Sequence, residues 1–152
     1  YVVEPFEVPS ASMETTIMTG DRLFAEKVSY HFTDVQPGDI VVFSDPQVPS
    51  RVLVKRVIAT EGQTVSMSGG TLYIDGVAQS EPYVTGETYP LSQTAGNVSI
   101  SYPYVVPEGE VWVMGDNREN SSDSRYFGSI DEDTIFGKAI LTYWPLDRIG
   151  LL

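Results

Sequence analysis

The 152-residue sequence contains no cysteine, so neither a disulfide framework nor a thiolate-ligated metal site can be built from it. Histidine is reduced to one residue, His31, which leaves no multi-histidine metal site and no easy route to a serine–histidine triad. Basic residues are scarce as well. Nine Lys and Arg stand against 21 Asp and Glu, for a formal net charge of −12. That balance excludes the usual nucleic-acid partner, which needs cations to displace counterions from phosphates, and it disfavours anionic lipid heads. No apolar run approaches the ~18 residues of a membrane-spanning helix, and no signal peptide is present between Tyr1 and Leu152. Helix signals are sparse too: residues 10–19, with Ser and Thr near both ends, suit one short helical turn.

What is present is enough to fold. Hydrophobic residues make up 41% of the chain, sufficient for one domain or one domain with a small insert. Residues 39–43, 51–58, 71–74, 110–114 and 139–144 are β-branched or aromatic runs, bounded by Gly, Pro and Asp. Pro37-Gly38, Ser68-Gly69-Gly70, Asp75-Gly76 and Pro107-Glu108-Gly109 are turn signals between them, which predicts antiparallel hairpins. Residues 84–107 are rich in Thr, Ser, Gly, Tyr and Pro with little apolar periodicity, and read as an insert or a long exposed excursion.

Three segments concentrate chemistry. In residues 8–17, Ser10 and Ser12 follow Pro9 and precede Met13; serines this close to a turn also serve as simple caps. In residues 52–58, Lys55 and Arg56 interrupt an apolar run. An edge strand with its cations turned outward has this pattern. So does a lysine desolvated until its neutral amine can accept a proton from serine. The third segment, residues 114–128, is a dense polar loop in which Asp and Arg alternate. Asp116, Arg118, Asn120 and Ser122 have the spacing of calcium ligands, but Arg118 is a cation and the required glycine and closing glutamate are missing.

Taken together and in this order, the segments resemble the type I signal peptidase family, membrane-bound serine peptidases that remove signal peptides from exported proteins. Pro9-Ser-Ala-Ser-Met13 is similar to the family's nucleophile box, Lys55-Arg56-Val57-Ile58 to its lysine box, and the stretch from Gly115-Asp-Asn to Arg125 to its Gly-Asp-Asn box. Gly20-Asp21 and residues 37–43 also fall where the family has similar elements. The resemblance implies Ser12 as nucleophile and Lys55 as general base, with Ser121 orienting the lysine amine. It implies that Ser10 joins the Ser12 backbone N–H in the oxyanion hole. Arg56, Asp116, Asp123 and Arg125 would give structural support, with Asp123 paired to Arg125 and to Arg56. Phe6, Val8, Met13, Ile17, Leu23 and Val54 would line shallow pockets for small residues at the first and third positions before the cut, an Ala-X-Ala pattern.

No metal or other cofactor is implied. The implied partners are signal peptides and membrane lipid. The family's anchoring helix is expected upstream of Tyr1, with the chemistry on the extracytoplasmic side of a cell membrane. The chain departs from the family pattern at Ala11, usually Gly, and at Thr15, usually Pro; neither change removes a reacting group. His31 reads as a packed or surface residue, Asn97-Val-Ser99 as a chance glycosylation pattern, and 131–133 as a solvated acidic turn. Two alternatives stand beside this reading. A self-cleaving Ser/Lys repressor would need a basic DNA-binding segment, which is missing; an acidic β module that binds without chemistry would show no reactive Ser12. The expected fold is all-β: a mostly antiparallel core of barrel or sandwich type from residues 1–62 and 108–152, with a smaller β insert at 63–107.

Overall fold

A computed structural model describes residues 2–7, 11–14, 16–18, 20–27, 35–90, 100–145, 148 and 150–152. The strands are β1 (Val2–Glu7), β2 (Arg22–Lys27), β3 (Ile40–Ser44), β4 (Val52–Thr60), β5 (Thr64–Ser68), β6 (Thr71–Ile74), β7 (Val77–Ala78), β8 (Tyr104–Val105), β9 (Glu110–Met114), β10 (Ile130–Asp131), β11 (Ile135–Trp144) and β12 (Gly150–Leu151). Among the described residues, helix is sparse: a single turn, α1 (Ser124–Phe127), a 3-10 turn, Glu132–Thr134, and 3-10 backbone at Arg148. The protein is all-β. Every strand pairing is antiparallel. One sheet runs β1-β2-β11-β3-β4-β9-β10, with β12 added to β11; the other runs β7-β6-β5-β8.

The expected strands at 39–43, 51–58, 71–74 and 110–114 are present to within two residues as β3, β4, β6 and β9, and the run at 139–144 is the second half of a longer β11. Asp75 and Gly76 both have positive φ, 51° and 79°, between partners Ile74 and Val77. This is the backbone of a two-residue type I′ hairpin, which Asp-Gly favours. Strands β1 and β2 have no clean apolar alternation in sequence, whereas β5 alternates polar and apolar residues from Thr64 to Ser68. Pro5 sits in β1, where the sheet ends, so its missing N–H costs no interior ladder bond.

The position of β4 matters most for function. It pairs with β3 on one side and β9 on the other, so the outward-facing edge-strand reading of Lys55 does not hold. Leu53 and Val57 belong to a buried cluster with Val41, Phe43, Val111, Val113 and Phe127. Because strand side chains alternate between faces, Lys55 shares their face, directly across from Val41. Val54 points the other way, into a cluster with Met13, Ile17, Ile40, Val42 and Ala139. A third cluster joins the small sheet to β4 and β9, Ile58, Val65, Leu72, Ile74, Val106 and Trp112 among its members. Part of the 84–107 excursion is thus not exposed: Val106 and Thr88 are buried.

Candidate active site

Lys55 is 1% exposed and Ser12 is 5% exposed, and Lys55 Nζ donates to Ser12 Oγ at 2.7 Å. An ammonium held among valines and leucines loses hydration that a sheet interior does not return. Burial accordingly pushes the Lys55 amine down from 10.5 to about 8, while the carboxylates of Asp123 and Asp45 oppose that fall and the Arg125 guanidinium adds to it. Near neutral pH an appreciable fraction of Lys55 is therefore uncharged. With the amine neutral, the same pair of atoms lets the Ser12 hydroxyl donate to nitrogen.

Low Lys55 basicity makes a prediction for stability. Between about pH 8 and 10.5 the unfolded lysine binds a proton that the folded one has lost, so folding gains stability as pH rises through that window. Below it, the buried charge costs on the order of 3 kcal/mol, from roughly 2.5 pH units at 1.36 kcal/mol each. Lys55→Met should be the more stable protein at about pH 7, with the gap closing towards about pH 10 in paired denaturant titrations. A constant gap would exclude a depressed lysine.

The backbone carrying Ser12 turns back on itself: Glu14 N–H donates to Ala11 O at 3.1 Å and Ile17 N–H to Met13 O at 2.8 Å. These are helical-turn bonds in the stretch where one turn is expected from the sequence. The Gly-Asp-Asn loop after β9 then grips this turn. Asn117 N–H donates to Ser12 O at 2.8 Å, and Asn117 Nδ2 to Ala11 O at 3.2 Å. Asp116 N–H reaches Met13 Sδ at 3.4 Å, and Thr16 Oγ1 donates to Asp116 Oδ2 at 2.6 Å. Gly115 lies so close to the turn that a Cβ there would overlap both the Ser12 carbonyl oxygen and Ser121 Oγ.

The ion pairs differ from expectation in one respect. Arg56 pairs with Asp116, not with Asp123: Nε donates to Oδ1 at 2.9 Å and Nη2 to Oδ2 at 2.8 Å. The β4–β9 register explains the exchange. Arg56 lies opposite Met114, only two residues before Asp116. The Arg56 guanidinium also donates to Gly38 O at 2.9 Å and stacks 3.8 Å from the Tyr83 ring centroid. Asp123 pairs with Arg125 as expected, accepting Nε and Nη2 at 2.9 Å each. It also caps α1 through the Arg125 N–H and accepts the Gly115 N–H at 3.2 Å. Ser121 Oγ accepts the same Gly115 N–H at 3.2 Å; its described hydrogen bond runs to this backbone and not to Lys55.

Of the apolar residues expected to line pockets, Met13, Ile17 and Val54 are buried in the cluster on the far face of β4. They are not among the residues lining the cavity at Ser12 and Lys55. That cavity, about 390 Å³, is bounded by Ala11, Arg51, Val52, Leu53, Asn120 and Ser122. Ser10 and Val8 lie outside the described residues, as do Thr15, His31 and Asn97, and the side chains of Phe6 and Leu23 are likewise outside the description.

Residues outside the expected site set complete the frame. Arg118, 1% exposed, donates to Gly115 O at 2.8 Å, to Thr88 Oγ1 at 2.9 Å and to both Glu81 oxygens at 3.0 and 2.7 Å. Thr85 pairs with Asn117, so residues 81–88 brace the Gly-Asp-Asn loop from outside. The repeated Asp and Arg of 116–125 signalled such bracing; their partners at 81–88 carry no sequence mark. Among the described residues, no helix is long and apolar enough to cross a membrane.

Residues 1–144 match the family described as signal peptidase, peptidase S26. The chain is 42% identical over 160 residues to a probable signal peptidase I-1 of Synechocystis, covering 100% of this chain and 76% of that protein. It is 37% identical over 159 residues to a signal peptidase I of Leptolyngbya laminosa, covering 100% of this chain and 74% of that protein. A crystal structure of a signal peptidase I from Enterococcus faecalis V583 matches with a TM-score of 0.52 and 35% identity. It covers 68% of this chain and 94% of that one.

Proposed function

We propose, for a chain that belongs to the signal peptidase family, peptidase S26, and is a serine endopeptidase cleaving signal peptides, that Ser12 is the nucleophile and Lys55 the general base. The observation that carries this assignment is the 2.7 Å contact between Lys55 Nζ and Ser12 Oγ inside a sheet that lowers the amine's basicity. Neutral Lys55 takes the hydroxyl proton as Ser12 Oγ attacks the scissile carbonyl, and the resulting ammonium returns that proton to the departing amine. Water then attacks the acyl-Ser12 ester with Lys55 taking its proton, and the ammonium returns that proton to Ser12 Oγ as the acyl C–O bond breaks and the new C-terminus leaves. The developing oxyanion is held by the Ser12 backbone N–H and by Ser10; one such donor contributes roughly 3 kcal/mol. Ser121, whose hydroxyl accepts the Gly115 N–H, steadies the loop beside Ser12, and Arg56–Asp116 and Asp123–Arg125 hold the two segments in register.

The substrate reading extends to an Ala-X-Ala leader bound as an added strand, with membrane lipid as second partner at the extracytoplasmic face where such leaders emerge. Residues 1–62 and 108–152 form the catalytic body in this account and 63–107 an insert, consistent with β5 to β8 making their own sheet. The test uses preprotein substrates in lipid or detergent. A single cut after Ala-X-Ala is expected, and replacement of the alanine next to the cut by Trp should abolish it. Equal cutting of the Trp substrate would overturn the pocket reading.

A further inference from the structure

The cavity beside Ser12 and Lys55 has an uneven lining. Val52 and Leu53 are apolar and Asn120 and Ser122 are neutral, so that beyond Lys55 its charge is Arg51. The backbone of Arg51 is fixed by the turn joining β3 to β4: Asp45 N–H donates to Arg51 O and Arg51 N–H to Val48 O, each at 2.8 Å. Its side chain is not fixed in the same way. It is 58% exposed, and its ion pair with Asp45 spans 3.7 Å, too long for a hydrogen bond. Asp45 accepts the Gln47 N–H at 2.8 Å through its other oxygen. The guanidinium thus keeps its planar set of donors at the cavity, in a form suited to a second carboxylate.

Position along the strand sets the reach. Arg51 stands one residue before β4, where its bond with Asp45 continues the β3–β4 ladder, and precedes Lys55 by four residues, about 13 Å at roughly 3.3 Å per residue. An extended substrate covers the same distance in about four residues. We propose that Arg51 is a specificity-determining residue, which favours substrates carrying Asp or Glu within about four residues of the scissile bond. The proposal rests on Ser12 and Lys55 being the reacting pair. At an exposed guanidinium the preference should be roughly three- to fivefold, the range of a surface ion pair.

The experiment measures kcat/KM of the full-length protein on Ala-X-Ala substrates bearing Asp or Lys, one position at a time, on either side of the cut. At one position the Asp:Lys ratio should be roughly three to five in the wild type, near one in Arg51→Gln and below one in Arg51→Glu. Added salt should compress the wild-type ratio. Ratios that neither variant alters at any position would overturn this assignment alone. Cleavage of a neutral substrate that survives Ser12→Ala would overturn it together with the reading of the site.

Discussion

Ser12→Ala and Lys55→Ala should each lower kcat/KM on a signal-peptide substrate by about four orders of magnitude or more, leaving only what binding and the oxyanion donors supply. In the proposed mechanism the two side chains share one proton transfer across their 2.7 Å contact. Removing both should therefore cost little more than removing either, and the double variant is the sharper test. Lys55→Arg should do no better than alanine, since a guanidinium stays protonated at any workable pH and accepts no proton. The Ser12→Ala loss should not reflect unfolding, and Lys55→Met separates lost chemistry from lost stability at position 55. Lys55→Met removes a buried charge and should be more stable near neutral pH, as the linkage argument requires. Additive losses in the double variant, or an active Lys55→Arg, would separate Ser12 from Lys55.

Gly115→Ala is the second large effect, at a residue that takes no part in proton transfer. Its new Cβ would stand 2.7 Å from Ser121 Cβ and overlap both Ser121 Oγ and Ser12 O. Ser12 O has little freedom to retreat, because it accepts the Asn117 N–H at 2.8 Å from the same loop. The loop is held in turn by Arg118 on Gly115 O and by Arg56 on Asp116. One methyl group must therefore push the nucleophile's segment away from Lys55. A displacement near 1 Å at a reacting atom costs about a hundredfold in rate, and overpacking of this kind costs roughly 1–3 kcal/mol of stability. The expected outcome is a folded protein with kcat down at least a hundredfold and KM changed much less. Wild-type kcat would mean that the close approach of the two segments is not needed.

The proposed reacting residues were legible in sequence because they sit in short, spaced motifs: Ser12 after a proline, Lys55 inside an apolar run, and a polar loop after a strand. The all-β class was legible from the β-branched runs and turns, and the Asp75-Gly76 hairpin from its dipeptide. Other features depend on register, which a single sequence does not display. Arg56 meets Asp116 because β4 and β9 pair as they do, and nothing in the spacing favours that partner over Asp123. Met13, Ile17 and Val54 look like pocket residues beside a motif, and only the choice of sheet face makes them core. Arg51 reads as the start of the 51–58 strand, and nothing marks it further until it is seen beside the Ser12 cavity. The bracing of Arg118 by Glu81 and Thr88 joins residues about thirty or more positions apart, beyond any local pattern.

The most direct test of the Ser12–Lys55 assignment is the pH dependence of kcat/KM on an Ala-X-Ala substrate. If neutral Lys55 is the base, the rate should climb about tenfold per pH unit below the lysine's ionisation, bend near pH 8 and stay high on the alkaline side. From about pH 6 to the plateau the rise should be on the order of a hundredfold. A profile that is flat across this range, or one that falls as Lys55 loses its proton, would contradict a lysine base.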